Sequence, residues 1–223
     1  MTKKLVVLLM VLAISVMTVG TSFAVEGWQV LTLKHQINDS TGISVNEETY
    51  TNDNWGYNYE HIDLGINYQA NSWLNIGANY RAMQQNWKAL SLFRNISAGY
   101  VSVPYINATI MGKVSGIELY NTFILAYNTG ADVLFWWNIS GANFPVEMNN
   151  GSILIPYVNV QPFIGLNALG LFNLRSKLGV NYKFANTKWI VPGVFYVNEY
   201  RNLNSIFNKD YNGVGLEVTL NLQ

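Results

Sequence analysis

The sequence predicts an all-β chain: a transmembrane antiparallel up-and-down β-barrel of about 10–12 strands, preceded by a cleaved signal peptide. Three observations lead there. The 223-residue chain is only 12% charged yet 14% aromatic, so its surface has to meet something other than water. Past residue 24, apolar side chains recur at every second position in segments parted by Asn, Gly, Asp and Ser, which is the period of a strand with two unlike faces. No stretch there approaches the roughly 20 apolar residues of a membrane helix. The 13 basic residues balance 13 acidic ones, which excludes a nucleic-acid surface. Without any cysteine, disulfides, thiolate metal sites and cysteine nucleophiles are all excluded.

Along the chain, Lys3 and Lys4 precede the apolar run Leu5 to Val19, and Thr21-Ser22-Phe23-Ala24 supplies the small residues of a cleavage site. Residues 1–24 therefore read as a signal peptide and residues 25–223 as the barrel. No cysteine follows to accept a lipid anchor.

The first strand candidates are Trp28 to Ile37 and Gly42 to Thr51. Next, Ile62, Leu64, Ile66 and Tyr68 alternate with His61, Asp63, Gly65 and Asn67, then Leu74, Ile76, Ala78 and Tyr80 with Asn75, Gly77, Asn79 and Arg81. Asn71-Ser72 between them has the chemistry of a tight turn. Tyr100 to Gly112, Gly116 to Tyr127, Asp132 to Ser140, Ile153 to Leu166, Phe172 to Phe184 and Lys188 to Tyr200 follow, and the chain closes on Val214, Leu216, Val218, Leu220 and Leu222 alternating with polar or glycine positions. These are about eleven candidates, whereas a single-chain bacterial barrel has an even number. Either Gly42 to Thr51 is partly loop, giving about ten, or Trp87 to Asn95 adds a strand, giving about twelve.

The polar faces are rich in Asn, Gly, Ser and Thr rather than Lys and Glu, which suits a crowded lumen better than a surface in water. Asparagine serves turns and lumen hydrogen bonds, so Asn95-Ile-Ser97, Asn107-Ala-Thr109 and Asn138-Ile-Ser140 imply no glycosylation. Gly179 and Gly215 on polar faces are expected to relieve crowding. Trp28, Trp55, Trp73, Trp87, Trp189, Tyr200 and Tyr211 fall near segment ends, where an interfacial girdle would place them. The last strand carries Gly215, Val218, Leu220 and Leu222, the pattern read by bacterial outer-membrane assembly machinery, with Leu222-Gln223 in place of a terminal aromatic.

From Ile155 to Leu222 the chain resembles an uncharacterised family of small Gram-negative outer-membrane barrels. The shared motifs are Ile155-Pro156-Tyr157, Arg175 followed by Leu178-Gly179-Val180 and Tyr182, a strand around Tyr196, and the closing Gly-x-x-Val-x-Leu. Gln161 and Thr122 stand where that family carries charge. The resemblance implies the fold and the outer membrane, and no substrate.

A catalytic site would draw on His35 or His61. Asp63 lies two places from His61 and so shares its face, but no nucleophile motif accompanies them. The expectation is a hydrogen-bonded lumen histidine, with no enzymatic activity, no cofactor and no metal. Alternation turns His61, Asp63, Arg81, Glu118, Arg175, Lys177, Lys183 and Glu217 inward, in a mixture of signs able to pair across the interior. The functional expectation is a narrow pore for passive passage of small polar solutes. A structural or binding barrel with a plugged lumen and exposed loops is the alternative, and a lipid-modifying enzyme ranks third. The expected partners are outer-membrane lipid and, through the C-terminal strand, the assembly machinery.

Overall fold

The computed structural model describes residues 26–51, 57–85, 100–166, 170–203 and 206–222. The signal segment, Trp55 and the stretch Trp87 to Asn95 lie outside them, as does the side chain of Tyr211. The described strands are β1 (Glu26–Gln36), β2 (Thr41–Thr51), β3 (Tyr57–Asn71), β4 (Leu74–Gln85), β5 (Tyr100–Val114) and β6 (Ile117–Asn128). Then come β7 (Val133–Asn143), the two-residue β8 (Val146–Glu147), β9 (Ile153–Gly165), β10 (Gly170–Lys183), β11 (Ile190–Leu203) and β12 (Ile206–Leu222). Each neighbour pairs with the next, β9 with β10, and β12 with β1, so the sheet closes; β8 only flanks β9.

Closure corrects the parity argument. Omitting β8 from the 12-stranded sheet leaves 12 − 1 = 11 barrel strands among the described residues. An odd number of up-and-down strands leaves the first and last running the same way, and the β1–β12 ladder is parallel, from Glu26↔Gly213 to His35↔Leu222. Every other ladder is antiparallel, as the sequence predicts. Gly42 to Thr51 is strand throughout, not partly loop. The described chain therefore begins at one mouth of the barrel and ends at the other.

At the second mouth, where β12 ends, the β1–β2, β3–β4 and β5–β6 connections are short, whereas β7 reaches β9 through residues 144–152, which carry β8. Asparagine builds the first two by folding its side chain onto its own backbone. The Asn71 Oδ1 accepts the Trp73 and Leu74 N–H groups at 3.0 and 2.9 Å, and Asn38 does the same for Ser40 and Thr41. Asn128 caps the turn at the first mouth in this way, accepting from Gly130 and Ala131.

Alternation holds along most strands. Leu64, Ile66, Ile106, Phe123, Leu178, Val194 and Leu216 are exposed on the outer face, Ile106 at 58% and Leu178 at 61%. The interior is a packed core rather than a uniformly polar lining. One inward cluster joins Trp28, Tyr50, Tyr157, Phe195 and Val197, and a second joins Met83, Val101, Val103, Ile124, Ala126 and Trp137. Trp28 thus departs from the girdle expected of it: it points inward at 2% exposure. Trp73 and Tyr200 stay exposed near opposite mouths. Gly179 does relieve crowding, because a Cβ there would lie 2.6 Å from Tyr157 Cζ, and Gly215 is likewise crossed by the Phe195 ring.

Candidate functional site

The chemistry of the interior is concentrated in one layer, nearer the first mouth. Strand register sets it up: His61 of β3 lies opposite Glu48 of β2 and Met83 of β4, and Asp63 lies opposite Arg81. The Arg81 guanidinium forms a fork with Asp63, Nε to Oδ1 at 2.7 Å and Nη2 to Oδ2 at 2.9 Å, the geometry in which arginine binds carboxylate best. Asp63 Oδ2 is also 3.5 Å from His61 Nε2, and Glu48 Oε2 is 4.0 Å from the same nitrogen.

Arg175, on β10, completes the layer from another part of the wall. Its Nε donates to Glu199 Oε2 at 2.7 Å, and its Nη1 reaches Glu48 Oε1 at 3.0 Å on β2. Strands β11, β12 and β1 separate those two anchor points around the wall, so this contact crosses lumen space. Glu48 also accepts from Trp28 Nε1 at 2.8 Å. Glu199, fully buried, accepts from Asn173 Nδ2 at 2.9 Å.

Aromatic rings close the circuit. The Arg175 guanidinium sits 4.6 Å from the Trp28 centroid and 5.8 Å from that of Phe163. Phe163 stacks on Trp137 at 5.7 Å, and Arg81 lies 5.3 Å from the Trp137 ring. Each arginine is held between a carboxylate and a ring face, which lowers the cost of keeping a cation away from water. The path Arg175, Phe163, Trp137, Arg81, Asp63, His61, Glu48 and back to Arg175 runs across the interior as one connected set. Lys177 adds a cation over Phe195 at 4.6 Å and over Trp28 at 5.7 Å.

Five of the inward residues expected from sequence, His61, Asp63, Arg81, Arg175 and Lys177, meet in or beside this layer. Glu217 does not; it lies toward the second mouth opposite Gly193. Glu118 and Lys183 share the inward face by register but are exposed at the second rim, with Asn143 Nδ2 near Glu118 at 3.4 Å. Sequence reasoning missed Glu48, Glu199 and Trp28. Glu47-Glu48 placed one carboxylate on each face, so period alone could not choose between them. The available signal was stoichiometry, since the four cations expected inside, Arg81, Arg175, Lys177 and Lys183, outnumber the three expected carboxylates, Asp63, Glu118 and Glu217.

Toward the second mouth the lining changes to asparagine, serine and threonine bonded along the wall: Asn79 to Asn107 at 2.6 Å, Asn67 to Ser44 at 3.2 Å, and Thr109 with Thr122 at 2.9 Å. Among the described residues, no group of three or more His, Asp or Glu could hold a metal ion. Glu48 and Met83 lie opposite His61 and Asp63 beside it, so the layer can hold charge in place and displace water. Comparison with protein-family models gives no match, and comparison with curated proteins finds no relative.

Proposed function

We propose that the protein is an outer-membrane barrel held shut by this ion-pair and aromatic layer, acting as a structural or binding barrel in its resting state. The observation that carries the reading is the Arg175–Glu48 contact across the lumen, backed by Trp28, Trp137 and Phe163. Membrane placement is supported by the exposed Ile, Leu, Val and Phe of the outer face, which form a larger apolar surface than a protein in water tolerates. It is supported also by the β1–β12 ladder, which leaves no sheet edge between them, as a barrel in hydrocarbon requires. The resemblance of residues 155–222 to small Gram-negative barrels agrees with it.

A second reading, a gated narrow pore for small polar solutes, is favoured by the Asn, Ser and Thr lining between the layer and the second mouth. Planar bilayers separate the two. The wild-type protein is expected to be silent, with Arg175→Ala giving small conductance steps if the layer alone closes the path. Steady wild-type conductance would remove the closed-barrel reading. Activity on lipid A or phospholipid, lost in His61→Ala, would replace both readings with an enzyme.

A further inference from the structure

Beside the ion-pair layer, toward the second mouth, the lumen wall holds polar groups that closure does not use. Lys177, on β10, rests its ammonium on ring faces, 4.6 Å from the Phe195 centroid and 5.7 Å from that of Trp28. It forms no hydrogen bond or ion pair with any described residue. The carboxylate that attracts it most is Glu48, whose Oε1 is already taken by Arg175 and Trp28. Glu217, on β12, attracts Lys177 without touching it, and its own Oε1 is buried with no hydrogen-bond partner. The Tyr157 hydroxyl, on a residue only 6% exposed, is directed at Glu217 without closing a hydrogen bond. Buried polar atoms left unbonded cost free energy and are few in folded proteins. Glycines shape the wall here: Glu217 lies over Gly193 and Tyr157 over Gly179, each closer than a Cβ would allow, and Phe195 crosses Gly215. These side chains therefore run along the wall of β10 to β12 rather than across the lumen.

We infer that this part of the lumen binds a small zwitterion of the amino-acid type, its carboxylate on the Lys177 ammonium and its ammonium on the Glu217 carboxylate, with the Tyr157 hydroxyl beside them. The inference deepens the binding-barrel reading above and rests on it. What selects the ligand is a pair of opposite charges that share one region, stand apart, and each lack a direct partner. A simple ion would pair with one and leave the other; a neutral polyol would answer the hydroxyl and neither charge. A zwitterion pairs with both through charge-assisted hydrogen bonds, the stronger kind, and adds no net charge to the interior. The ion-pair layer is the floor of the site, and the Asn, Ser and Thr wall leading to the second mouth is its polar approach.

The test is equilibrium dialysis of the mature full-length chain in detergent micelles against radiolabelled glycine, β-alanine and γ-aminobutyrate, which span a range of charge separations. At least one should be retained in one-to-one ratio, and more tightly than acetate or methylamine, which carry one charge each. Glu217→Gln and Lys177→Gln should each weaken retention about tenfold or more, the worth of one charge-assisted hydrogen bond. Asp39→Asn, in the exposed turn after β1, should leave it unchanged, with heat-modifiable gel migration showing that each variant is folded. Should Lys177→Gln fail to fold, Glu217→Gln decides alone. No retention of any of the three by folded wild-type protein, acetate or methylamine held as tightly, or retention unchanged by Glu217→Gln would each overturn the inference while leaving the closed barrel intact. Steady wild-type conductance in planar bilayers, unaffected by the zwitterion, would overturn the closed-barrel reading and this inference with it.

Discussion

Glu199 and Arg175 show how a single side chain decides the state of the interior. Glu199 is fully buried and takes its hydrogen bonds from Asn173 and Arg175. Replacing Arg175 by Met keeps the bulk but strands Glu48 and Glu199 without their shared cation. The expected loss is about 3–5 kcal/mol, the cost of leaving a buried charge unpaired. Urea titration of the barrel in detergent, followed by tryptophan fluorescence, measures it. Adding Glu199→Gln to Arg175→Met should recover much of that loss, because Lys177 then remains beside Glu48 as its counter-charge. If the double variant is no better than the single, the layer contributes through shape instead of charge. At Gly179, alanine would press into the Tyr157 ring, and overpacking of that kind costs about 1–3 kcal/mol.

At the scale of the strand, the two faces should differ in what they accept. Arginine at Leu178, on the outer face of β10, should destabilise the barrel by about 2–4 kcal/mol if that position lies near the bilayer midplane. Asn181→Ser, on the inner face of the same strand, should cost far less, and equal costs would mean the register is wrong by one residue. Strand extents were largely legible in sequence where one face is apolar and the other polar, as in β3, β4 and β10. Legibility failed where both faces are apolar: in β11 Val194 and Tyr196 point outward while Phe195 and Val197 join the interior. Trp28 misled for the same reason, since a large ring near a strand end fits a membrane girdle and a lumen plug equally well. The seam was not legible at all, because pairing between β1 and β12 depends on the parity of the whole set of strands and on no local signal. A Leu33→Cys, Leu220→Cys pair, opposite each other in the parallel ladder, should form a disulfide readily. A Leu33→Cys, Val218→Cys pair, two residues out of register, should not, and the reverse result would discard the parallel seam.

Over the whole molecule, parity has a topological consequence. An even barrel returns both ends of its chain to one mouth, whereas the parallel β1–β12 ladder puts Glu26 and Leu222 at opposite mouths. If the barrel sits in a membrane, one end of the described chain faces the cell exterior and the other faces inward. The longest interval between consecutive barrel strands, from Gln85 to Tyr100, falls at the first mouth, and the longer connections of outer-membrane barrels are extracellular, which matches the second mouth to the inward side. The start of β1 would then lie on the exterior side. A short epitope placed just before Glu26 should be labelled by antibody on intact cells, and the same epitope after Leu222 should be labelled only once the outer membrane is permeabilised. The opposite pattern would keep the eleven-stranded barrel and reverse its orientation. Labelling of both epitopes under one condition would mean both ends share a mouth, which a parallel seam forbids, so the barrel would have to close with an even number of strands.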